Sequence, residues 1–586
     1  MIDNKYHPLK YIYGFFAAEG DFPIINSQWE RVFIDNFYIT YDKSVEFSCI
    51  KGENNWVVVL GKIVSLRCDS TIHRDIAGRL FEELNVSLNS LYEELDHCCG
   101  RFIVIYSFDN KIFALNDATG MKSIYYAIIP KISIASHVRI LAEQYNISFD
   151  NEMLNDIKVS HMRNSNMSFL PGFATKYCGI CCLTPNTSLS LTDGTIQRYF
   201  PRENLSSISS RKSIEYATSI LKELCLKWCS SYPLAVSITS GVDSRLTTAA
   251  ARECVDRIMF FTYVRRSEIV NIVDYEIAKQ LLDDFNLKLF ILNFDHEIDQ
   301  NDSQFDDYSL FRQIMDMNVE SEHFFSLAYA YHREFPRGFL HLRSNIGEIG
   351  RARYYNKPFN DIVHKGPCAE TFSKIYEIWT RRKRTSFAVS LFERYIEETS
   401  LFENCCNYDR FSLFYWEHLM GRWHASLLRE SDVVFDTVSL FNCRVLLGAY
   451  LAGPFQEQVS GELMLGSIGR LWESLLHYPI NPSSDENSRV KGFADPNLRI
   501  EQERDRYFFI VDNCNMDCHF AFYLYKDDIV CDRQWYSGNN IFEVVLSEPA
   551  VYKVRYFITR AEEPNKGETT EALKKISGWF QSINIG

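Results

Sequence analysis

No stretch of the 586-residue chain approaches the ~20 consecutive apolar residues that a membrane-spanning helix requires. The opening segment, Met1-Ile2-Asp3-Asn4-Lys5-Tyr6-His7-Pro8, lacks the basic-then-apolar order of a secretion signal, so the expected location is the cytoplasm. Positive charge is not in excess. The 76 acidic residues outnumber 62 basic ones, for a formal net charge of -14, which counts against a nucleic-acid binder acting by bulk charge. Neither a GxxxxGK[ST] nor a strand-linked GxGxxG occurs, so the two commonest phosphate loops are missing. There is no solenoid-type repeat and no low-complexity tract.

Cysteine is plentiful, at 17 residues, but its spacing does not complete a zinc site. Cys178 and Cys181 have CxxC spacing beside Cys182, and Cys514 and Cys518 fall in an expected turn. Four ligands are needed, and no second CxxC or HxxxH stands nearby. Free, buried thiols are therefore expected. Hydrophobic residues at 46%, charged at 24% and aromatics at 15% describe a folded chain without large-scale disorder. Its length implies two to four domains.

Short apolar runs such as Trp56–Leu60, Phe102–Tyr106 and Lys111–Leu115 read as strands, the last two joined by a hairpin turn over Ser107-Phe108-Asp109-Asn110. One helix, from about Asp75 to Leu91, interrupts them. Beyond residue 210 helix and strand alternate, the strands being Leu234–Ile238, Ile258–Tyr263 and Leu287–Leu292, which predicts a parallel sheet with helical crossovers. Residues 305 to 480 read mostly as helices. Five close-spaced strand-like runs after residue 500 predict a small antiparallel sandwich. In the tail, Leu573, Ile576, Trp579, Phe580 and Ile583 have helical spacing. The expected fold class is α/β, with helices and strands of both sheet types in separate domains.

Thr239-Ser240-Gly241-Val242-Asp243-Ser244 lies between a buried strand and a helix. Unpaired amides and the helix dipole at such a start favour phosphate. The hydroxyls of Thr239, Ser240 and Ser244 add donors, and Gly241 allows close backbone approach. Asp243 would repel phosphate alone, so the loop implies Mg²⁺ shared with a nucleotide. An ordinary strand-to-helix turn capped by Asp243 or Ser244 is the plainer alternative.

The loop resembles the PP-loop of N-type ATP pyrophosphatases, SGGxDS, with Thr239 and Ser240 as departures. Collinear segments resemble the asparagine synthase family. They are Gly100-Arg101-Phe102, Asn116 to Tyr126, Arg198-Tyr199-Phe200-Pro201 and Asp274 to Ala278. The resemblance spans roughly residues 30 to 480. It implies an Ntn-like α+β domain over 1–204, a PP-loop domain over 205–498, a sandwich over 499–560 and a helical tail over 561–586. It further implies adenylation of a carboxylate with ATP and Mg²⁺, followed by transfer to an amine. ATP is expected on residues 239 to 244, with its base and ribose near Phe261 and Thr262.

The family's acidic segment, SGEGxDE, has its counterpart in Arg343-Ser344-Asn345-Ile346-Gly347-Glu348-Ile349-Gly350-Arg351, which keeps Gly347-Glu348 and brings arginines. Catalytic roles are thereby implied for Asp243, Glu348 and Arg351. Pyrophosphate binding is implied for Ser244, Arg343, Gly347 and Arg351, and metal binding for Asp243 and Glu348. The family's glutaminase cysteine after Met1 is replaced by Ile2, the state that resembles β-lactam synthetases and lasso-peptide cyclases.

Gly421-Arg422-Trp423, Asp432 and Phe441-Asn442-Cys443-Arg444 resemble the acceptor-lining half. Arg422 and Arg444 there are open to either carboxylate binding or packing, and Lys491 is a candidate catalytic lysine. The sandwich resembles modules of bacterial surface-polysaccharide proteins. Expected partners are a small-molecule, peptide or glycan carboxylate and an amine, without membrane or nucleic acid; a homodimer is compatible with the sequence. A nucleotide-binding pseudoenzyme and a PP-loop enzyme modifying a nucleic-acid base are the alternatives.

Overall fold

The computed structural model describes residues 7–20, 22, 26, 28–160, 169–265, 269–294, 308–319, 325–481, 497–503, 505–512, 518–526, 529–537, 540–546, 548–560, 576–579 and 583–585. The chain divides into two compact units. One is Met1–Tyr263 with Ala278–Tyr478, the other Val264–Ile277 with Pro479–Gly586. The first unit takes in residues on both sides of the expected boundary at 204/205.

The N-terminal strands are β1 (Phe15–Glu19), β2 (Trp29–Ile34), β3 (Phe37–Asp42), β4 (Phe47–Lys51), β5 (Trp56–Ser65), β6 (Cys98–Phe108), β7 (Lys111–Asn116), β8 (Tyr125–Ala127), β9 (Ser133–Ala135), β10 (Ile180–Cys182), β11 (Thr187–Ser190) and β12 (Ile196–Arg198). They form two six-stranded antiparallel sheets, ordered β10-β8-β9-β1-β3-β2 and β12-β11-β7-β6-β5-β4. Strand alternation decides how these pack. Phe15, Ala17, Ile39 and Tyr126 of one sheet meet Trp56, Val58, Leu60, Ile103 and Ile105 of the other in a shared core.

Outward-facing apolar residues then need helices. The first sheet is covered by α3 (Val138–Tyr145), whose Ile140 and Leu141 pack on Phe16 and Tyr125. The second is covered by α1 (His73–Val86), which lies on β4 and β5. The result is a helix–sheet–sheet–helix stack. The helix expected over Asp75 to Leu91 is two, because Ser87 is extended and caps α2 (Leu88–Asp96) by accepting from the Ser90 amide. The expected β6–β7 hairpin forms through Asp109 and Asn110, both at positive φ, the geometry of a type I′ turn.

A second sheet system follows α4 (Asn151–Ser160) and α5 (Ser210–Ser231). It contains β13 (Leu234–Ser237), α6 (Val242–Ala250), β14 (Ile258–Arg265), α7 (Ile269–Asp284), β15 (Leu289–Phe294), α8 (Tyr308–Asn318), α9 (Phe325–Glu334), β16 (Leu340–Leu342) and β17 (Thr437–Val438). The strand order is β15-β14-β13-β16-β17. β13 runs parallel to both β14 and β16, and β16 parallel to β17, as the alternation predicted. Further helices occupy most of 360–477, including a π-helical segment Tyr415–His424.

The family-like segments meet in space. Asp117 accepts hydrogen bonds from the amides of Phe102, Thr119, Met121 and Lys122. Asn442 then locks this turn, donating to Asp117 Oδ1 at 2.8 Å and accepting from the Thr119 amide and hydroxyl at 2.8 and 2.9 Å. Buried Arg101 pairs with Asp432 through two hydrogen bonds and with Asp436 at 3.2 Å. The N-terminal stack is therefore fastened to the β17 end of the parallel sheet. Arg444 donates to Asn186 Oδ1 and the Tyr199 hydroxyl, and Arg422 to the Ala174 carbonyl. Both arginines thus tie the helical half to the N-terminal half.

The second unit holds a sandwich. Strands Asn497–Glu503, Arg506–Asp512 and Ile541–Val545 form one antiparallel sheet; Cys518–Lys526, Ile529–Ser537 and Ala550–Arg560 belong to the other. Phe509, Phe522, Leu524, Phe542 and Val554 fill the space between them. The tail corrects the sequence reading. Ile576–Trp579 and Ile583–Ile585 are strands paired with Ala550–Arg560, not turns of a helix. In a strand Ile576 and Trp579 fall on opposite faces, so the spacing alone pointed to a helix, and the open backbone edge of Ala550–Arg560 instead gives the tail ladder partners. Leu573 and Phe580 lie outside the described residues.

All fifteen cysteines whose side chains are described are free thiols. No helix among the described residues is long and apolar enough to cross a membrane.

Candidate functional site

The turn between β13 and α6 lies at the carboxyl end of the central strand, where parallel sheets form ligand crevices. Leu234, Ala235 and Val236 are fully buried, so the strand is fixed and the turn projects from a rigid base. Its backbone is held by its own hydroxyls. Ser244 Oγ accepts from the Thr239 amide at 3.2 Å and lies 3.0 Å from Thr239 Oγ1, which itself accepts from the Gly241 amide at 3.1 Å. Arg245 anchors the turn from behind, donating to the carbonyls of Ser240, Leu475 and Tyr478. Gly241 is the extended N-cap residue of α6, and no side chain caps the helix start. Val242 is buried.

The segment after β16 folds onto this turn. Arg351 Nη2 donates to Asp243 Oδ2 at 2.7 Å. A Cβ on Gly347 would stand 2.9 Å from Asp243 Oδ1, so a side chain here would press on that carboxylate. The backbone beside it is strained: buried Ile346 has φ 88° and Ala352 φ 42°, values that cost a β-branched residue most. Asp243 and the distant segment Gly347–Arg351 thus form one constellation. Gly347→Ala is expected to push Asp243 aside and weaken Mg-ATP affinity at least ~10-fold, with calorimetric titration as the check.

Several charges here are incompletely answered by the protein. Asp243 Oδ1, Glu348 Oε2 and Arg351 Nε are buried atoms without a hydrogen-bond partner among the described residues. Burial, and next the Glu348 charge, push the Asp243 carboxyl up to about 7, against the pull of Arg351. Burial lowers Arg351, and the Asp243 and Glu348 charges more than reverse it.

An unfolded chain ionises Asp243 near 3.8, so between the two values the folded state keeps a proton that the unfolded state has lost. Stability through this group is therefore full below pH ~4 and is lost as pH rises through ~7. Asp243→Asn, which mimics the protonated acid, is expected to be more stable than wild type by about 2–4 kcal/mol near pH ~8 and equal to it near pH ~4. Urea denaturation at both values reads this.

Two carboxylates do not make a metal cage. No group of three or more His, Cys, Asp or Glu side chains placed to hold a metal occurs among the described residues. They fit Mg²⁺ in the way it is commonly held, by one or two carboxylates plus phosphate oxygens and water. A divalent ion would answer the free oxygens of Asp243 and Glu348 and favour the ionised acid.

Not every expected residue reaches the site. Phe261 is fully buried in the core beneath the sheet, against Tyr331, Phe335, His341 and Phe435. Thr262 is buried as well. The expectation that Phe261 lines the base and ribose is corrected on that ground, since alternation turns its ring into the core. Arg343 stands at the end of β16 with its Nε on Asn345 Oδ1 at 2.7 Å. Glu348 influences both Arg343 and Asp243. Lys491 lies outside the described residues.

The structure also shows polar groups that the sequence did not single out. His341 on β16 faces Ser237 Oγ at 3.3 Å, and His424 ends the π-helical segment. Isolated histidines carry no spacing signal.

No protein-family model and no curated protein matches the chain. Two solved structures are similar over about half of it. One is a glutamine phosphoribosylpyrophosphate amidotransferase from B. subtilis complexed with ADP and GMP, at 10% identity and TM-score 0.21, covering 49% of this chain and 61% of that one. The other is described as the allosteric regulatory enzyme of purine biosynthesis, at 11% identity and TM-score 0.23, covering 53% and 74%. This chain matches less than two thirds of the first structure's length. Likenesses of this size carry no argument about fold or activity.

Proposed function

We propose that the chain is an ATP-dependent amide-forming ligase that adenylates a substrate carboxylate and passes the acyl group to an amine without hydrolysing glutamine. The observation that carries this reading is the convergence of Gly347, Glu348 and Arg351 on Asp243 at the β13–α6 turn. Phosphates are assigned to the turn 239–244, where no side chain caps the start of α6 and the helix dipole favours an anion. Mg²⁺, held by Asp243 and Glu348, would neutralise the phosphates. Ser244, Gly347 and Arg351 are assigned to pyrophosphate, with Arg351 leaving Asp243 to meet the developing negative charge. The residues contribute alignment and charge; the carboxylate attacks the α-phosphorus, the amine then displaces AMP.

The helix–sheet–sheet–helix stack supports reading the N-terminal half as a glutaminase-like Ntn domain. Its first strand is entered through Tyr13-Gly14-Phe15-Phe16, with no cysteine, serine or threonine to act as nucleophile, so the amine is proposed to come from another source. Trapping with hydroxylamine tests the activity. Incubation with Mg-ATP, pooled carboxylates and hydroxylamine is expected to yield hydroxamate together with pyrophosphate.

One observation favours a second reading, a nucleotide-binding scaffold. Arg351 already neutralises Asp243, where an active site would hold metal. That reading predicts ATP binding with no hydroxamate from any acid.

A further inference from the structure

Three thiols meet where α5 packs on Arg252–Arg257, the short 3-10 segment that joins α6 to β14. Helix α5 turns one stripe inward: Leu221, Leu224, Cys225 and Trp228 are fully buried, and Cys229 keeps 7% exposure. Spacing of three and four residues places Cys225 and Cys229 one turn apart on that stripe. Cys254 of the 3-10 segment, at 3% exposure, lies against them. Its Sγ is 3.9 Å from Cys225 Sγ, and Cys229 hydrogen-bonds to the same sulfur. All three are free thiols.

The cluster is polarised. Cys254 is lowered to about 7, first by its hydrogen bond from Cys225, then with help from Cys229 and the Arg257 charge, against burial and Glu253. The same bond, followed by burial, pushes Cys225 well above its ordinary value. Burial and then the bond to Cys254 raise Cys229 to about 11. One sulfur therefore ionises readily between two protonated neighbours. A thiolate is the form that attacks a peroxide, and an adjacent thiol is what converts the resulting sulfenic acid to a disulfide. Packing explains why a cysteine is buried; it does not require two thiols to converge on a third beside an arginine.

We propose that Cys254 and Cys225 form a peroxide-sensitive pair, with hydrogen peroxide oxidising Cys254, Cys225 closing the disulfide and Cys229 standing by as the alternative partner. The Cys254 thiolate attacks one peroxide oxygen, the O–O bond breaks, and hydroxide leaves a sulfenic acid behind. The Cys225 sulfur then attacks the sulfenic sulfur, the S–O bond breaks, and the oxygen departs as water with the Cys225 proton. Two thiols lose two electrons and two protons, and one peroxide becomes two waters. The sulfurs already touch, so bond formation requires a closure of about 2 Å. The product staples α5 to the segment that follows α6, across 29 residues of chain. Nothing in this assignment rests on the ligase reading.

The test is a non-reducing peptide map of the full, reduced chain after brief exposure to about ten equivalents of hydrogen peroxide, with remaining thiols alkylated. The expected product is a Cys225–Cys254 linked peptide and a loss of two free thiols per chain, while the exposed Cys178 and Cys531 are still alkylated. Cys225→Ser is expected to move the bridge to Cys229. With Cys229→Ser added, Cys254 should stop at the sulfenic acid and be captured by dimedone. Oxidation of Cys178 and Cys531 ahead of a fully alkylatable Cys254 overturns the proposal, as does a bridge that omits Cys254. If a variant fails to fold, the wild-type map decides by itself.

Discussion

Asp243→Asn is expected to abolish the response to Mg-ATP. At ~100 times its dissociation constant a ligand stabilises the native state by ~2.7 kcal/mol, and the variant should show none of this. The substitution keeps the shape of the side chain but removes the charge that, with Glu348, would hold Mg²⁺ against the phosphates. Because the ligand-free variant is expected to be the more stable protein at neutral pH, loss of the nucleotide effect would not be confused with damage to the fold. Thermal denaturation of both proteins, with and without Mg-ATP, gives the comparison. A shift retained in the variant would place the phosphates elsewhere.

The second large effect concerns the fastening of the N-terminal stack. Arg101→Met leaves Asp432 buried without its two-bond partner, beside Asp436. Removing one member of a buried pair costs about 3–5 kcal/mol, mainly through the charge left behind. Urea denaturation should show that loss as a single transition shared by both halves of the unit, since Asn442 and Asp117 still tie them. Two separated transitions, or a loss below ~1 kcal/mol, would mean that the network is peripheral.

Much of the architecture was legible because local and global signals agree. A buried apolar run entering small hydroxyl residues marked the β13–α6 turn, and Ser107 to Asn110 marked a hairpin, which the structure turns at Asp109 and Asn110. What failed was orientation. Phe261 sits near a strand end in sequence, but only the sheet decides which face its ring takes, and it takes the core. The tail residues Ile576 and Trp579 have helical spacing, which a strand puts on opposite faces; the edge of Ala550–Arg560 settled them as strand. Arg422 and Arg444 stood out by motif, yet their partners, the Ala174 carbonyl and Asn186 with Tyr199, come from the N-terminal half. His341 and His424 were invisible because no local pattern links them. Gly347-Glu348 was legible only through resemblance, and the close approach of Gly347 to Asp243 supplies its physical reason.

The most direct test of the proposed activity is isotope exchange between labelled pyrophosphate and ATP, which reports reversible adenylation without knowledge of the amine. With Mg²⁺, ATP and pooled carboxylates, wild type is expected to move label into ATP, and Asp243→Asn to move none. Label entering ATP only when a carboxylate is present would match adenylation on the 239–244 turn. Stabilisation by Mg-ATP with no exchange for any acid would contradict it, and would leave the chain as a nucleotide-binding scaffold.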